Sequence, residues 1–183
     1  MKEKVILGID PGTTVMGYGL IKSTGKNMEM ITFGFIQLNK YKDHMLKLQH
    51  IFTRSLQLIE TYKPDELSIE APFYGKNVQS MLKLGRAQGI SIAAALYRGI
   101  PIFEYAPKRI KQAITGNGNA SKEQVAAMLV RLLHIEMPEY LDATDGLAAA
   151  VAHHFQGDKI NSSEGKAYSS WDTFIKQNPG RIK

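Results

Sequence analysis

The sequence predicts an α/β layer fold: a mixed five-stranded sheet with an antiparallel meander at one edge, parallel strands behind it, and helices on its faces. Three observations carry this prediction. Short apolar runs with brief links open the chain, the apolar period changes from two to about 3.6 near residue 45, and two later short strands alternate with helical segments. The 183 residues suit one domain with a real core.

Lys4 to Asp10 (KVILGID) is an apolar run that ends at a carboxylate, followed by the turn pair Pro11-Gly12. Met16 to Lys22 resumes extended character, Ser23 to Asn27 supplies a turn, and Met28 to Leu38 alternates. Met45, Leu48, Phe52, Leu56 and Ile59 then share one helical face, and Lys63-Pro64-Asp65 ends that helix. Glu66 to Glu70 (ELSIE) is a fourth strand, again closing on a carboxylate with a proline close behind.

Val78 to Tyr97 has helical length, and 12 of its 20 residues are apolar. That stripe is too broad to be satisfied by one sheet face, and Gly85 and Gly89 at i,i+4 allow another backbone to come close. Pro101 to Tyr105 reads as the fifth strand. Pro107 opens a short helix to Ile114, and Gly116 to Ala120 is a loop. Ser121 with Gln124 is a capping box opening a helix to His134. A last helix is expected from Asp142 to about Phe155, after which a polar tail, 157–183, follows a domain of 1–156. Trp171, Phe174 and Ile175 would be its only anchor.

Cysteine is absent, which excludes a disulfide scaffold and thiolate zinc sites. No apolar run reaches membrane length and no cleavable apolar segment opens the chain, so a soluble, cytoplasmic protein without membrane attachment is expected. The net charge of +6 is unevenly spread, with ten basic and five acidic side chains between residues 61 and 133. Such a balance invites a polyanion.

Four acidic residues stand out by position. Right-handed crossovers would set the strands 4–10 and 66–70 side by side in parallel, bringing Asp10 near Glu70. Asp142 and Asp145 share a face in the first turn of the last helix, and the stripe Asp145, Ala148, Ala149, Ala152 faces its packed side. Singly, each has an ordinary explanation: Asp142 as a helix cap, Asp10 as a turn brace. Together, four converging carboxylates repel one another, and a hard divalent cation such as Mg²⁺ or Mn²⁺ relieves that repulsion. Two such ions support phosphodiester hydrolysis. The histidines show no paired zinc spacing, and His153 and His154 read as surface or interface residues.

The ordered set Ile6 to Gly19 (ILGIDPGTTVMGYG), Ile69-Glu70, Lys76-Asn77, Leu82 to Gly85, Phe103 to Ala106, Lys111-Gln112 and Asp142 to Asp145 resembles the RuvC-type crossover junction endodeoxyribonucleases. The resemblance implies a ribonuclease H-like fold and a homodimer that resolves Holliday junctions by paired nicks in DNA recombination and repair. It implies two Mg²⁺ ions per site, with Mn²⁺ able to substitute, and branch-migration proteins as partners. The family's catalytic and metal-holding carboxylates map onto Asp10, Glu70, Asp142 and Asp145. Lys111 and Lys122 match basic residues near the scissile phosphate, and Phe73 an aromatic that contacts junction bases. Lys76, Asn77, Lys83, Lys108 and Arg109 are further candidate DNA contacts. Gly85 to Gln88 departs mildly from the family form, and nothing after Gly157 matches it. The competing readings are a nuclease of the same fold acting on another DNA or RNA structure, a non-catalytic junction-binding module, and an actin-like ATPase fragment. The last requires a second phosphate motif that the chain does not contain.

Overall fold

A computed structural model describes residues 3–72 and 77–162. Its core is a five-stranded sheet in the order β3-β2-β1-β4-β5. β1 (Glu3–Asp10), β2 (Val15–Thr24) and β3 (Asn27–Gln37) form the antiparallel meander. The β2–β3 hairpin turns through Gly25 and Lys26, with Gly25 at φ 63, a conformation that glycine adopts without steric cost. β4 (Glu66–Glu70) lies parallel to β1, and β5 (Ile102–Tyr105) parallel to β4.

Alternation along the strands divides the core in two. Leu7, Ile9, Leu20, Leu67 and Ile69 pack beneath α1 (His44–Tyr62) and α2 (Val78–Tyr97). Ile6, Ile21 and Tyr105 pack with α3 (Pro107–Thr115), α4 (Lys122–Leu133) and α5 (Asp142–Ser162). The expected capping box is present: Ser121 accepts from the Gln124 backbone while the Gln124 side chain accepts from the Ser121 N–H. Burying both apolar faces of the sheet is what makes the chain a three-layer domain.

Several expectations need correction. On α1, Ile59 is buried and Leu48, Phe52 and Leu56 are half-buried against the core as expected, but Ile51, Ser55 and Leu58 are buried too and Met45 is exposed. α5 does not stop at Phe155 but continues to Ser162. His153 and His154 are buried, not surface residues. The second half of α5 still covers the sheet, so His154 meets Ser23 Oγ at 2.7 Å and His153 bridges Tyr105 Oη and Glu66 Oε2 at 2.6 and 2.9 Å. The anchor Trp171, Phe174 and Ile175 lies outside the described residues.

The alanines of α5 are buried as expected, but glycines make its closest approach to the sheet. A Cβ at Gly8 would lie 2.1 Å from the Gly146 carbonyl, one at Gly19 2.4 Å from Leu147 Cα, and one at Gly146 2.4 Å from Tyr18 Cα. The helix backbone therefore rests directly on β1 and β2. That contact sets the height at which Asp142 and Asp145 meet the sheet end.

Candidate active site

β1 and β4 are parallel neighbours with Ile9 opposite Ile69, so the next residues, Asp10 and Glu70, emerge at the same sheet end. Asp145 reaches them from the first turn of α5. These three carboxylates line a cavity of about 530 Å³ with Lys108 and Lys111 of α3 and Lys122 of α4. Lys122 Nζ donates to Asp142 Oδ1 at 2.9 Å and to Asp145 Oδ2 at 2.6 Å, which joins the fourth carboxylate to the group.

Acidic groups in this cavity hold their protons unusually well. Burial raises Asp10 well above its ordinary value, and the charges of Glu70 and Asp145 raise it further, while Lys122 opposes them. Glu70 is pushed up to about 7 by burial and by Asp145, against Lys122 and Lys111. Burial also raises Asp145, although its hydrogen bond from Lys122 works the other way. Burial alone would lower Lys122, but Asp145 and Asp142 outweigh it and hold the ammonium above its usual range. Negative charge is thus crowded at one point, with Lys122 as the cation hydrogen-bonded to it. As the side chains stand, no three His, Asp or Glu groups among the described residues form a ready-made ion cage. The Lys122 ammonium takes the place between Asp142 and Asp145.

The remaining candidates divide. Lys108 lines the cavity. Lys111 lines it too, and its ammonium also donates to the Ala120 carbonyl at 2.8 Å, tethering the 116–120 loop. Arg109 points away: its Nε donates to Gln156 Oε1 at 2.5 Å beside a separate cavity. The Asn77 side chain caps α2 by accepting from Ser80 N at 3.1 Å. Phe73 and Lys76 lie outside the described residues.

Lys83 belongs to a cationic group that the sequence reading missed. Burial lowers His44, and the charges of Arg86, Lys83 and Lys47 lower it further. Lys47 Nζ donates to the Thr13 carbonyl at 2.8 Å, in the turn that follows Asp10. The i,i+3 pair Lys83 and Arg86 was the available signal on α2. Nothing local links it to the first turn of α1.

The strand order, with acidic residues ending two adjacent parallel strands and opening a covering helix, defines a ribonuclease H-like domain with a carboxylate-centred site. A profile of the crossover junction endodeoxyribonuclease RuvC family matches residues 6–153, and the chain belongs to that family. The RuvC protein of Christiangramia forsetii is 62% identical over 182 residues, covering 99% of this chain and 94% of the relative. That of Bacteroides fragilis is 61% identical, covering 100% and 98%. Thermus thermophilus RuvC, solved in complex with a Holliday junction substrate, superposes with a TM-score of 0.79 at 28% identity over 86% of this chain and 96% of that one. The yeast mitochondrial Holliday junction resolvase shares the fold, with a TM-score of 0.63 at 15% identity, over 94% and 83% of the two chains.

Proposed function

We propose that this protein is a structure-specific endodeoxyribonuclease that resolves four-way DNA junctions by paired phosphodiester hydrolysis. The observation that carries the reading is the meeting of Asp10, Glu70 and Asp145 at one sheet end, opposite Lys108, Lys111 and Lys122. The cations draw a phosphodiester toward the cavity and balance charge that develops on it. Lys122 acts on both sides, pairing with Asp142 and Asp145 while standing at the site itself.

The donor set fits a hard divalent ion. All four candidate ligands are carboxylates, the chain has no cysteine, and His153 and His154 are engaged elsewhere. Asp10, Glu70, Asp142 and Asp145 would hold Mg²⁺, or Mn²⁺ in its place, at two ions per site. Bound there, the ions supply an activated water and charge stabilisation at the leaving 3′ oxygen.

A homodimer is part of the same proposal. α2 exposes Val78 and Leu82, the latter at 53% of its surface. Beyond the adjoining residues and backbone of α2 itself, no atom of the described residues lies within 4 Å of a Cβ built at Gly85 or Gly89. That open small-residue face supports a second copy of α2, and a two-fold pair presents one cavity to each of two like strands of a junction.

The test is side-by-side cleavage of duplex, fork, four-way junction and RNA–DNA hybrid, with Mg²⁺ and with chelator. Junction-selective, ion-dependent nicking lost in Asp10→Asn, with junction binding retained, is expected. Equal cleavage of all substrates, or wild-type cleavage by Asp10→Asn, overturns the reading.

A further inference from the structure

Gln88 is a buried polar residue, 7% exposed, on the face of α2 that meets the sheet. Its amide nitrogen donates to the Glu70 backbone carbonyl at 3.3 Å and to Glu104 Oε2 at 2.9 Å. Both acceptors are oxygens, so the amide orientation is forced: reversed, Gln88 would set its own oxygen against a carbonyl and a carboxylate. Glu70 ends β4, and Glu104 lies on the parallel neighbour β5, where Ile69 faces Glu104 and Glu70 faces Tyr105. One amide group therefore joins α2, β4 and β5 at the point where the Glu70 carboxylate leaves the sheet. One turn before it, Leu84 lines a small cavity together with Asp10 and Glu70. α2 thus turns Leu84 and Gln88 toward the carboxylates and Leu82, Gly85 and Gly89 away from them.

Glu70 needs such support. It is the last residue of a five-residue strand, and it shares its cavity with the carboxylates of Asp10 and Asp145. The carboxylate's place in that group is set by the backbone that carries it, and Gln88 is bonded to that backbone.

We propose that Gln88 is a positioning residue for the cleavage reaction: it clamps the backbone at Glu70 and so sets how that carboxylate enters the ion-holding group. The inference rests on the reading of Glu70 as an ion-holding carboxylate. Because the clamp sits on the helix offered to a second copy, the carboxylate site and the exposed face of α2 share one rigid element.

The experiment compares Gln88→Met, which keeps length and loses the donor, with Gln88→Glu, which keeps shape but replaces the donor by an acceptor. Three quantities are read on the full chain: single-turnover junction cleavage at saturating protein, junction Kd in chelator, and Mn²⁺ binding by calorimetry without DNA. Gln88→Met is expected to slow cleavage about tenfold and weaken Mn²⁺ binding by a similar factor, with junction Kd within about twofold. Gln88→Glu is expected to be worse than Gln88→Met. A packing role alone predicts the reverse order, since Glu is the closer isostere, and that order overturns the proposal. So do wild-type cleavage and Mn²⁺ binding by Gln88→Met, or a loss that tracks its unfolding temperature. Glu70→Gln run in parallel separates the two readings. If it cuts and binds Mn²⁺ like wild type, the assignment of Glu70 fails. If Glu70→Gln is dead and Gln88→Met is unaffected, only the positioning role fails.

Discussion

Lys122 Nζ lies 2.6 Å from Asp145 Oδ2, a contact between the first turns of two helices 23 residues apart. The same ammonium also reaches Asp142 at 2.9 Å. A lysine between two carboxylates at the mouth of a carboxylate-lined cavity is their counter-cation, and in the proposed reading its charge also meets the phosphodiester.

Neutralising that charge separates rate from affinity. Lys122→Met is expected to lower single-turnover junction cleavage on the order of 10²-fold, while junction Kd changes by no more than about threefold. If affinity falls as far as rate, Lys122 is a phosphate contact and nothing more. Quenched-flow cleavage and a binding titration in chelator decide between these.

Glu70 makes a prediction about stability. Its carboxyl rises from an ordinary 4.5 to about 7 in the folded protein, chiefly through burial. The folded state therefore binds a proton between pH 4.5 and 7 that the unfolded state does not, and this group adds stability as pH falls through that window. Above pH 7 its ionised form is a burden on the fold. Without divalent ions, Glu70→Gln should be more stable than wild type at pH 8, on the order of 2 kcal/mol, and no more stable at pH 4.5. Urea midpoints at the two pH values test this. An advantage that is independent of pH would refute it.

Gly146 is a steric requirement. A Cβ there would meet Tyr18 Cα at 2.4 Å and Tyr18 N at 2.5 Å, and backbone cannot swing aside as a side-chain tip can. Gly146→Ala should cost about 1–3 kcal/mol or more and lift α5 from the sheet, carrying the adjacent Asp145 away from Asp10. The urea midpoint and the cleavage rate should both fall.

The α2 glycines give the opposite case. With open space at Gly85 and Gly89, alanine fits the single protomer and favours the helix by about 0.5–1 kcal/mol. A partner packed on that face would reverse the sign. Gly89→Ala and Leu82→Asp should each weaken a dimer in sedimentation at micromolar concentration. A wild-type protein that sediments as a monomer with and without junction DNA would remove the dimer from the proposal.

The cations around His44 should appear in the salt dependence of binding. Lys47→Gln and Arg86→Gln, tested singly, are each expected to reduce the slope of log K against log salt by about one while leaving the cleavage rate of bound junction unchanged. Unchanged slopes would show that these side chains hold the α1–α2 contact and meet no phosphate. The Lys47 hydrogen bond to Thr13 is the alternative such a result would favour.

Local chemistry was readable in order along the chain. The strand runs ending at Asp10 and Glu70, the bounds of α2 at Val78 and Tyr97, Pro107 at the start of α3 and the Ser121–Gln124 box all depend on residues within a few positions. Right-handed crossover then sufficed to pair Asp10 with Glu70. Asp142 and Asp145 stood out by their i,i+3 placement, and the family motifs added weight because acidic residues in a first helical turn are otherwise commonplace.

The tertiary structure decided what depends on approach between distant segments. His153 read as a surface residue because its buried partners, Tyr105 and Glu66, lie 48 and 87 residues away. Gln88 carried no local signal, because its two acceptors belong to two other elements of the sheet layer. The Arg109 hydrogen bond to Gln156 was likewise out of reach of the sequence, because the two residues lie 47 positions apart. Sequence periodicity says which face of an element is buried, and a capping motif says where a helix starts. Which groups share a hydrogen bond or a crowded charge is settled by packing, because burial and a separation of a few ångströms govern those energies and neither is a property of neighbouring residues in the chain.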